Sequence, residues 1–351
     1  MPNASTTIQD EIIDRQHQDE DVAQSLLVKY LMIFHAADDE IAATLSHYLN
    51  RHDWSRKQQE SLSKKLREIE DSHKHQFKDE FMADFNSLGR AEADYILKEL
   101  AALGVPDELL VYLDSFSVRN LETPLILDKK SYPIIPFMDT IWDVRWEIMM
   151  PLIATAFSTD TSMGQVMEFL FSGDAPAMKT AENALQMRVF SAVDYIVNQA
   201  RMELYGENDN LIAGYMWNAI MDDRTCVACG DLHGKVRSMD ERVLKTTLPT
   251  WAYPPLHRRC RCVLVPVFKR WEKIKGGDEM PKDVRVMFDG KLPEEETYAE
   301  WFEKQPKATK IRILGKRKYE MYESGEVAIS QFSRNGHILT LKQLDAFLGR
   351  G

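Results

Sequence analysis

The chain has 351 residues, 44% of them hydrophobic and 28% charged, with a formal net charge of -11. Such a length provides for about two or three packed units with ample apolar material, and the acidic balance carries no global signature of a nucleic-acid binder. The polar opening that runs into Asp10 and Glu11 lacks the basic and apolar regions of a secretory signal. The most apolar window, 148–157, is about half the length of a membrane span and contains Pro151. Neither export by the signal-peptide route nor membrane insertion is expected.

From Val22 onward, apolar residues at Leu26, Tyr30, Phe34, Ile41, Leu45 and Leu49 predict an amphipathic helix, which the run Asp38-Asp39-Glu40 either breaks or caps in its second half. Ser55 and Gln58 form the capping pair of a second helix, whose stripe runs from Leu62 through Phe77, Phe81 and Phe85 to Leu103, with His73 at a core-facing step. Gly104 and Pro106 end it. The two helices read as an antiparallel hairpin, with an extended coiled-coil-like arm as the alternative. His47, His52, His73 and His75 read as solvated or partly packed helix residues, because no cysteine or regularly spaced carboxylate completes a ligand set.

Residues 107–136 read as an irregular connector punctuated by Pro124, Pro133 and Pro136. Helical pattern returns at 140–157, 163–171 and 181–205, with Gly206 placed to stop the last. The first 205 residues hold no Gly-rich phosphate loop, HExxH or GxSxG. Farther on, 275–281 is a linker candidate. Thr297 with Glu300 and Thr340 with Gln343 cap short helices, and 311–322 forms another. Lys307, Lys310, Arg312, Lys316, Arg317 and Lys318 make this tail locally basic, as a solvated face or, alternatively, a contact for phosphate or an acidic partner. The predicted fold is mainly α, α+β overall, in four units: a helical hairpin or arm over 1–104, a helical scaffold over 105–205, a zinc-ribbon-like β unit over 206–270, and a small α-rich unit over 271–351.

All four cysteines fall between 226 and 262. In a reducing compartment, a CxxC followed by a CxC fits a metal site better than a disulfide framework. Two ligands separated by two residues sit on one tight turn, and tetrahedral zinc needs two such turns facing each other. Cys226 and Cys229 supply the first; His257 and Cys260 repeat that spacing, while Cys260 and Cys262 offer a second pair of thiolates. The set Cys226, Cys229, His257 and Cys260 is preferred over the four-cysteine set. Strands at 215–221, 234–237 and 262–268 would frame the turns as a ribbon. A structural zinc ion would then replace a hydrophobic core that so small a sheet lacks, contributing about 10 to 16 kcal/mol, and loss of a ligand is expected to unfold the region. A catalytic zinc with Asp222, Asp223, Asp231 or His233 as base is a lesser alternative, since four protein ligands close the site.

Trp217, Asp223-Arg-Thr-Cys226-x-x-Cys229, Leu232-His-Gly234-Lys and Pro254-Pro-Leu-His257-x-x-Cys260-Arg-Cys262 together resemble the signature of phage head morphogenesis proteins, the Mu F-like minor capsid proteins. The preceding helix, ending Asn198-Gln-Ala-Arg201-x-x-Leu-Tyr205, is similar too, as is the tail with Tyr298-x-x-Trp301-Phe. An Arg-Thr-Glu that family members often carry is absent, the place reading Met187-Arg-Val-Phe-Ser-Ala-Val193. The resemblance implies a low-copy, non-enzymatic structural protein of a tailed phage or prophage. It implies contact with the portal and other capsid or scaffold proteins, a place in the virion head or procapsid interior and the host cytoplasm, and a part in procapsid assembly or DNA handling. Two alternatives stand beside it: a DNA-binding zinc ribbon resting on Arg258, Arg259, Arg261 and the basic tail, and a zinc-dependent hydrolase or nuclease.

Overall fold

The structure is a computed structural model that describes residues 3–349 other than 52, 173–175, 294–295 and 335. His52, among the helix histidines named above, lies outside the described residues. Helix α1 (Ala4–Ser46) starts far ahead of Val22, because Asn3 caps it by accepting the Thr6 N–H at 2.8 Å. The acidic run at 38–40 does not interrupt it. Asp38 instead faces inward and accepts from Arg145 Nη2 at 2.7 Å. Helix α2 (Arg56–Ala102) has the predicted Ser55/Gln58 capping box and stops at Gly104, whose φ of +92° suits a residue without Cβ. The two pack as the antiparallel hairpin, with Lys29 on Asp84 and His73 on Glu40 as crosslinks.

The connector holds a two-stranded hairpin, β1 (Leu125–Leu127) and β2 (Lys130–Tyr132). Helices α3 (Ile134–Asp139), α4 (Ile141–Ser158), α5 (Met163–Phe171) and α6 (Met178–Glu207) follow. Gly206 does not end α6. The chain turns two residues later, where Asn208 Nδ2 donates to Leu204 O and Val111 O while its Oδ1 accepts the Val111 N–H. A helix C-terminus thus finds partners in a distant loop that no local pattern announces.

Helices α1, α2, α4 and α6 enclose the first core around Phe34, Phe77 and Trp142. Arg145 is fully buried within it, held by Glu70 and Asp38 and lying 4.5 Å from the Phe34 ring centroid. The second core is built on a three-stranded antiparallel sheet in the order β4 (Val236–Ser238), β3 (Ile212–Asn218), β5 (Val263–Phe268), with the short helix α7 (Val227–Leu232) between β3 and β4. These are the three strands expected around the cysteines, with edges shifted by a few residues. Every residue of β3 and β5 is buried, against Ile8 and Ile12 of α1, Leu97 of α2 and Leu204 of α6. The sheet therefore has a core of its own, contrary to the expectation that an ion must stand in for one.

Residues 275–281 are not a free linker. Ile274, Met280 and Val284 sit in the second core, and a Cβ on Gly277 would lie 2.3 Å from Trp271 O. Helix α8 (Lys282–Arg285) follows. The third core gathers α9 (Tyr298–Glu303), α10 (Lys307–Leu314), α11 (Lys316–Glu323), the hairpin β6 (Ser333–Arg334) and β7 (His337–Ile338), and α12 (Leu341–Phe347). Both predicted capping boxes, at Thr297 and Thr340, are present. The helix expected over 311–322 is two helices, because Gly315 at φ +75° and ψ 155° turns the chain between α10 and α11. Among the described residues no helix is long and apolar enough to cross a membrane.

Candidate metal centre

The first turn forms because Cys226 is the N-cap of α7: its backbone is extended, and its sulfur accepts from the Cys229 N–H at 3.5 Å. The second forms because the Cys260 N–H bonds back to His257 O at 3.1 Å, with Arg259 taking the left-handed conformation at φ +57°. Cys260 and Cys262 then lead directly into β5. Strand β3 ends ahead of the first turn and pairs with β5 from Asn218–Val263 onward, which sets the two turns face to face.

All five predicted donors meet there. They form two triads that share Cys229, one with Cys226 and His257 and one with Cys260 and Cys262, the donor atoms of each lying within 4.8 Å of one another. Cys229 and Cys260 sulfurs are 3.8 Å apart, and His257 Nε2 is 3.2 Å from Cys226 Sγ and 3.1 Å from Cys229 Sγ. A tetrahedral zinc ion requires sulfur pairs about 3.8 Å apart and nitrogen–sulfur pairs about 3.6 Å apart. The Cys229–Cys260 and His257–sulfur contacts are within tenths of an ångström of this, and the two triads must close on each other for four donors to share one ion. Cys226, Cys229, His257 and Cys262 border a cavity of ≈ 20 Å³, room for a single atom or ion.

His257 is oriented for ligation. Its Nδ1 lies 2.9 Å from the carbonyl oxygen of Arg258, which can only accept, so Nδ1 carries a proton and Nε2, facing the sulfurs, is the nitrogen that an ion would take by displacing its proton. The hydrogen bond from Cys229, then that from His257, holds Cys226 down at about 5, and the bonds from Cys229 and Cys262 push Cys260 well below the ordinary thiol range. Burial opposes charge on His257, but the Cys260 and Cys226 thiolates outweigh it and push the ring up to about 10. Cys229 is raised by its bonds to Cys226, Cys260 and Cys262, and Cys262 is raised chiefly by burial. Soft sulfur and imidazole donors without a carboxylate in either triad suit zinc.

The alternative bases stand elsewhere. Asp222 pairs with Arg261, Asp223 with Arg312, Asp231 accepts from the Gly336 N–H, and His233 Nδ1 accepts from the Ala219 N–H. Of the arginines around the second turn, Arg258 is near Asp128 and Arg261 reaches Asp222 and Glu20. In the basic tail Lys307, Lys310, Arg312 and Arg317 each have an acidic partner within the chain.

What the sequence pattern did not assign is the work of α6. Asn198 Oδ1 accepts the Leu264 N–H at 2.9 Å, its Nδ2 donates to Cys262 O at 3.3 Å, and Tyr205 Oη donates to Leu264 O at 3.0 Å. Arg201, on the same face, is fully buried against Glu92 at 2.6 Å and Asp19 at 3.6 Å. The available signal was a polar residue recurring along the buried face of an otherwise apolar helix, which demands a partner.

Residues 163–265 match the family model described as Phage Mu protein F like protein. This segment is Mu F-like. The resemblance carried by the cysteine turns is thereby borne out, and neither the curated proteins nor the solved structures yield a match. The Mu F-like segment begins with α5 and ends within β5, so it takes in α6, both turns, all five donors and the Asn198 and Tyr205 bonds to β5.

Proposed function

We propose that the chain is a non-enzymatic head-assembly protein of a tailed phage, with a structural zinc ion in the Mu F-like segment and contacts to the portal vertex through its helices. The observation that carries this reading is that the family match spans the two turns whose soft donors gather in two triads around Cys229. Cys226, Cys229, His257 and Cys260 would hold the ion, favoured by the aim of His257 Nε2 at two sulfurs. Zinc there supplies a crosslink between α7 and the start of β5. A set of four protein ligands, with Asp222, Asp223, Asp231 and His233 committed to other contacts, favours a structural over a catalytic ion. The internal pairing of Arg258, Arg261 and most of the tail cations favours protein partners over DNA.

Metal analysis of the purified chain tests the site: one zinc per chain in wild type and in Cys262→Ser, and loss of it in Cys226→Ser, His257→Ala and Cys260→Ser. Zinc retained by His257→Ala but lost from Cys262→Ser would reverse the ligand choice. Assembly is tested separately, by co-sedimentation with portal-containing proheads; normal particles after deletion of the protein would sink the head-assembly reading.

A further inference from the structure

An edge strand that is buried must find partners for the hydrogen-bonding groups facing away from the sheet. Strand β5 is such an edge: it pairs with β3 on one side, and all six of its residues are buried. Its outward groups belong to alternate residues. Leu264 N–H and O go to Asn198 and Tyr205, position 266 is proline and has no N–H to place, and the Phe268 N–H goes to Ser5 Oγ at 3.2 Å. The first outward group, Cys262 O, is taken by Asn198 Nδ2, so one side chain grips the backbone on both sides of Val263 immediately after the CxC.

We propose that Asn198 is a positioning residue for the metal centre: by fixing the backbone from Cys262 to Leu264 it holds Cys260 and its neighbour at the spacing that a metal ion needs opposite Cys226 and Cys229. The inference rests on the metal reading above. Asn198 has no freedom of its own, since its Nδ2 also donates to Asp194 O at 2.8 Å within α6. One turn along, Arg201 ties the same helix to α1 and α2 through Asp19 and Glu92. Helix α6 is thus the rigid support on which the second turn is seated, and Ser5, at the far end of the same edge, is a cap of the same kind remote from the ligands.

The test is the rate at which a colorimetric chelator strips zinc from the full chain. Outer-shell partners of metal ligands typically matter about 10- to 100-fold in affinity. Asn198→Ala should accelerate release at least about tenfold, whereas Ser5→Ala, which also leaves a buried N–H unpaired, should stay within about twofold of wild type. Release from Asn198→Ala at the wild-type rate, or equal acceleration in both variants, would overturn the positioning role. Wild type without zinc would instead overturn the metal reading. A second measurement needs no variant: stripping zinc from wild type should expose the Leu264 amide to hydrogen exchange and leave Phe268 protected. No change at Leu264, or equal change at both, counts against the proposal.

Discussion

Replacing Arg201 by methionine isolates the buried ion cluster that binds α6 to the hairpin. Arg201, Glu92 and Asp19 side chains are all fully buried, with the guanidinium 2.6 Å from Glu92 and 3.6 Å from Asp19; Arg15, 3.3 Å from Glu92, is the remaining nearby cation. Methionine keeps most of the packing volume and leaves two buried carboxylates facing one partly exposed arginine. Removing one partner of a buried pair costs about 3 to 5 kcal/mol. Because Arg15 remains, a loss of about 3 kcal/mol is expected, or roughly 4 °C in Tm for a chain of this size. Urea denaturation of wild type, Arg201→Met, Glu92→Gln and the double variant measures it. Arg201→Met should cost much less in the Glu92→Gln background, because its main partner is already neutral. A loss below about 1 kcal/mol, or strict additivity of the two substitutions, would refute the account of α6 as held by charge.

Asp19 gives a pH dependence of known sign. Burial first, then Glu92, push its carboxyl from 3.8 up to about 7 against Arg201 and Arg15. An acid with a raised folded pKa binds its proton more tightly when folded, so its contribution to stability falls as pH rises from about 4 to about 7 and is flat above that. Asp19→Asn should therefore flatten the stability profile between pH 5 and 8 in urea titrations; an unchanged slope would mean Asp19 does not titrate there. Chelation of the metal should lower Tm while leaving far-UV circular dichroism nearly intact, because β3 and β5 sit in a core shared with α1, α2 and α6. Loss of the sheet signal on chelation would restore the picture of an isolated zinc finger. Gly230→Ala should loosen the terminal unit, since a Cβ there meets the Tyr298 ring at 2.3 Å and Tyr298 Oη donates to Thr225 O. Limited proteolysis should then release a fragment beginning near α9, and unchanged resistance would argue that the ring has room to shift.

Helix caps and donor spacing were legible because they are local. Ser55, Thr297 and Thr340 cap the helices that follow them, and two x-x spacings predict two turns, since each depends on a few consecutive residues. The start of α1 was not legible: Ala4, Ile8 and Ile12 are too few to form a stripe, and their partners are Phe268, Phe288 and their neighbours far along the chain. Asp38 reads as a helix breaker in isolation and is instead a partner for Arg145. The stretch from 275 to 281 has linker composition, yet Gly277 is there for close approach to Trp271.

By itself, the sequence determined the donor chemistry of the candidate metal centre, because soft donors at fixed short spacings can converge on only a few geometries, and it carried the Mu F-like likeness in the same residues. Tertiary structure decided how that centre is supported. Whether a three-stranded sheet stands alone on an ion or is sunk in a helical body depends on which faces meet over distances of hundreds of residues, as Ser5 and Phe268 do. That meeting also turns Asn198 and Arg201 from unexplained polar residues on an apolar helix into the links that join the strand and the hairpin to it.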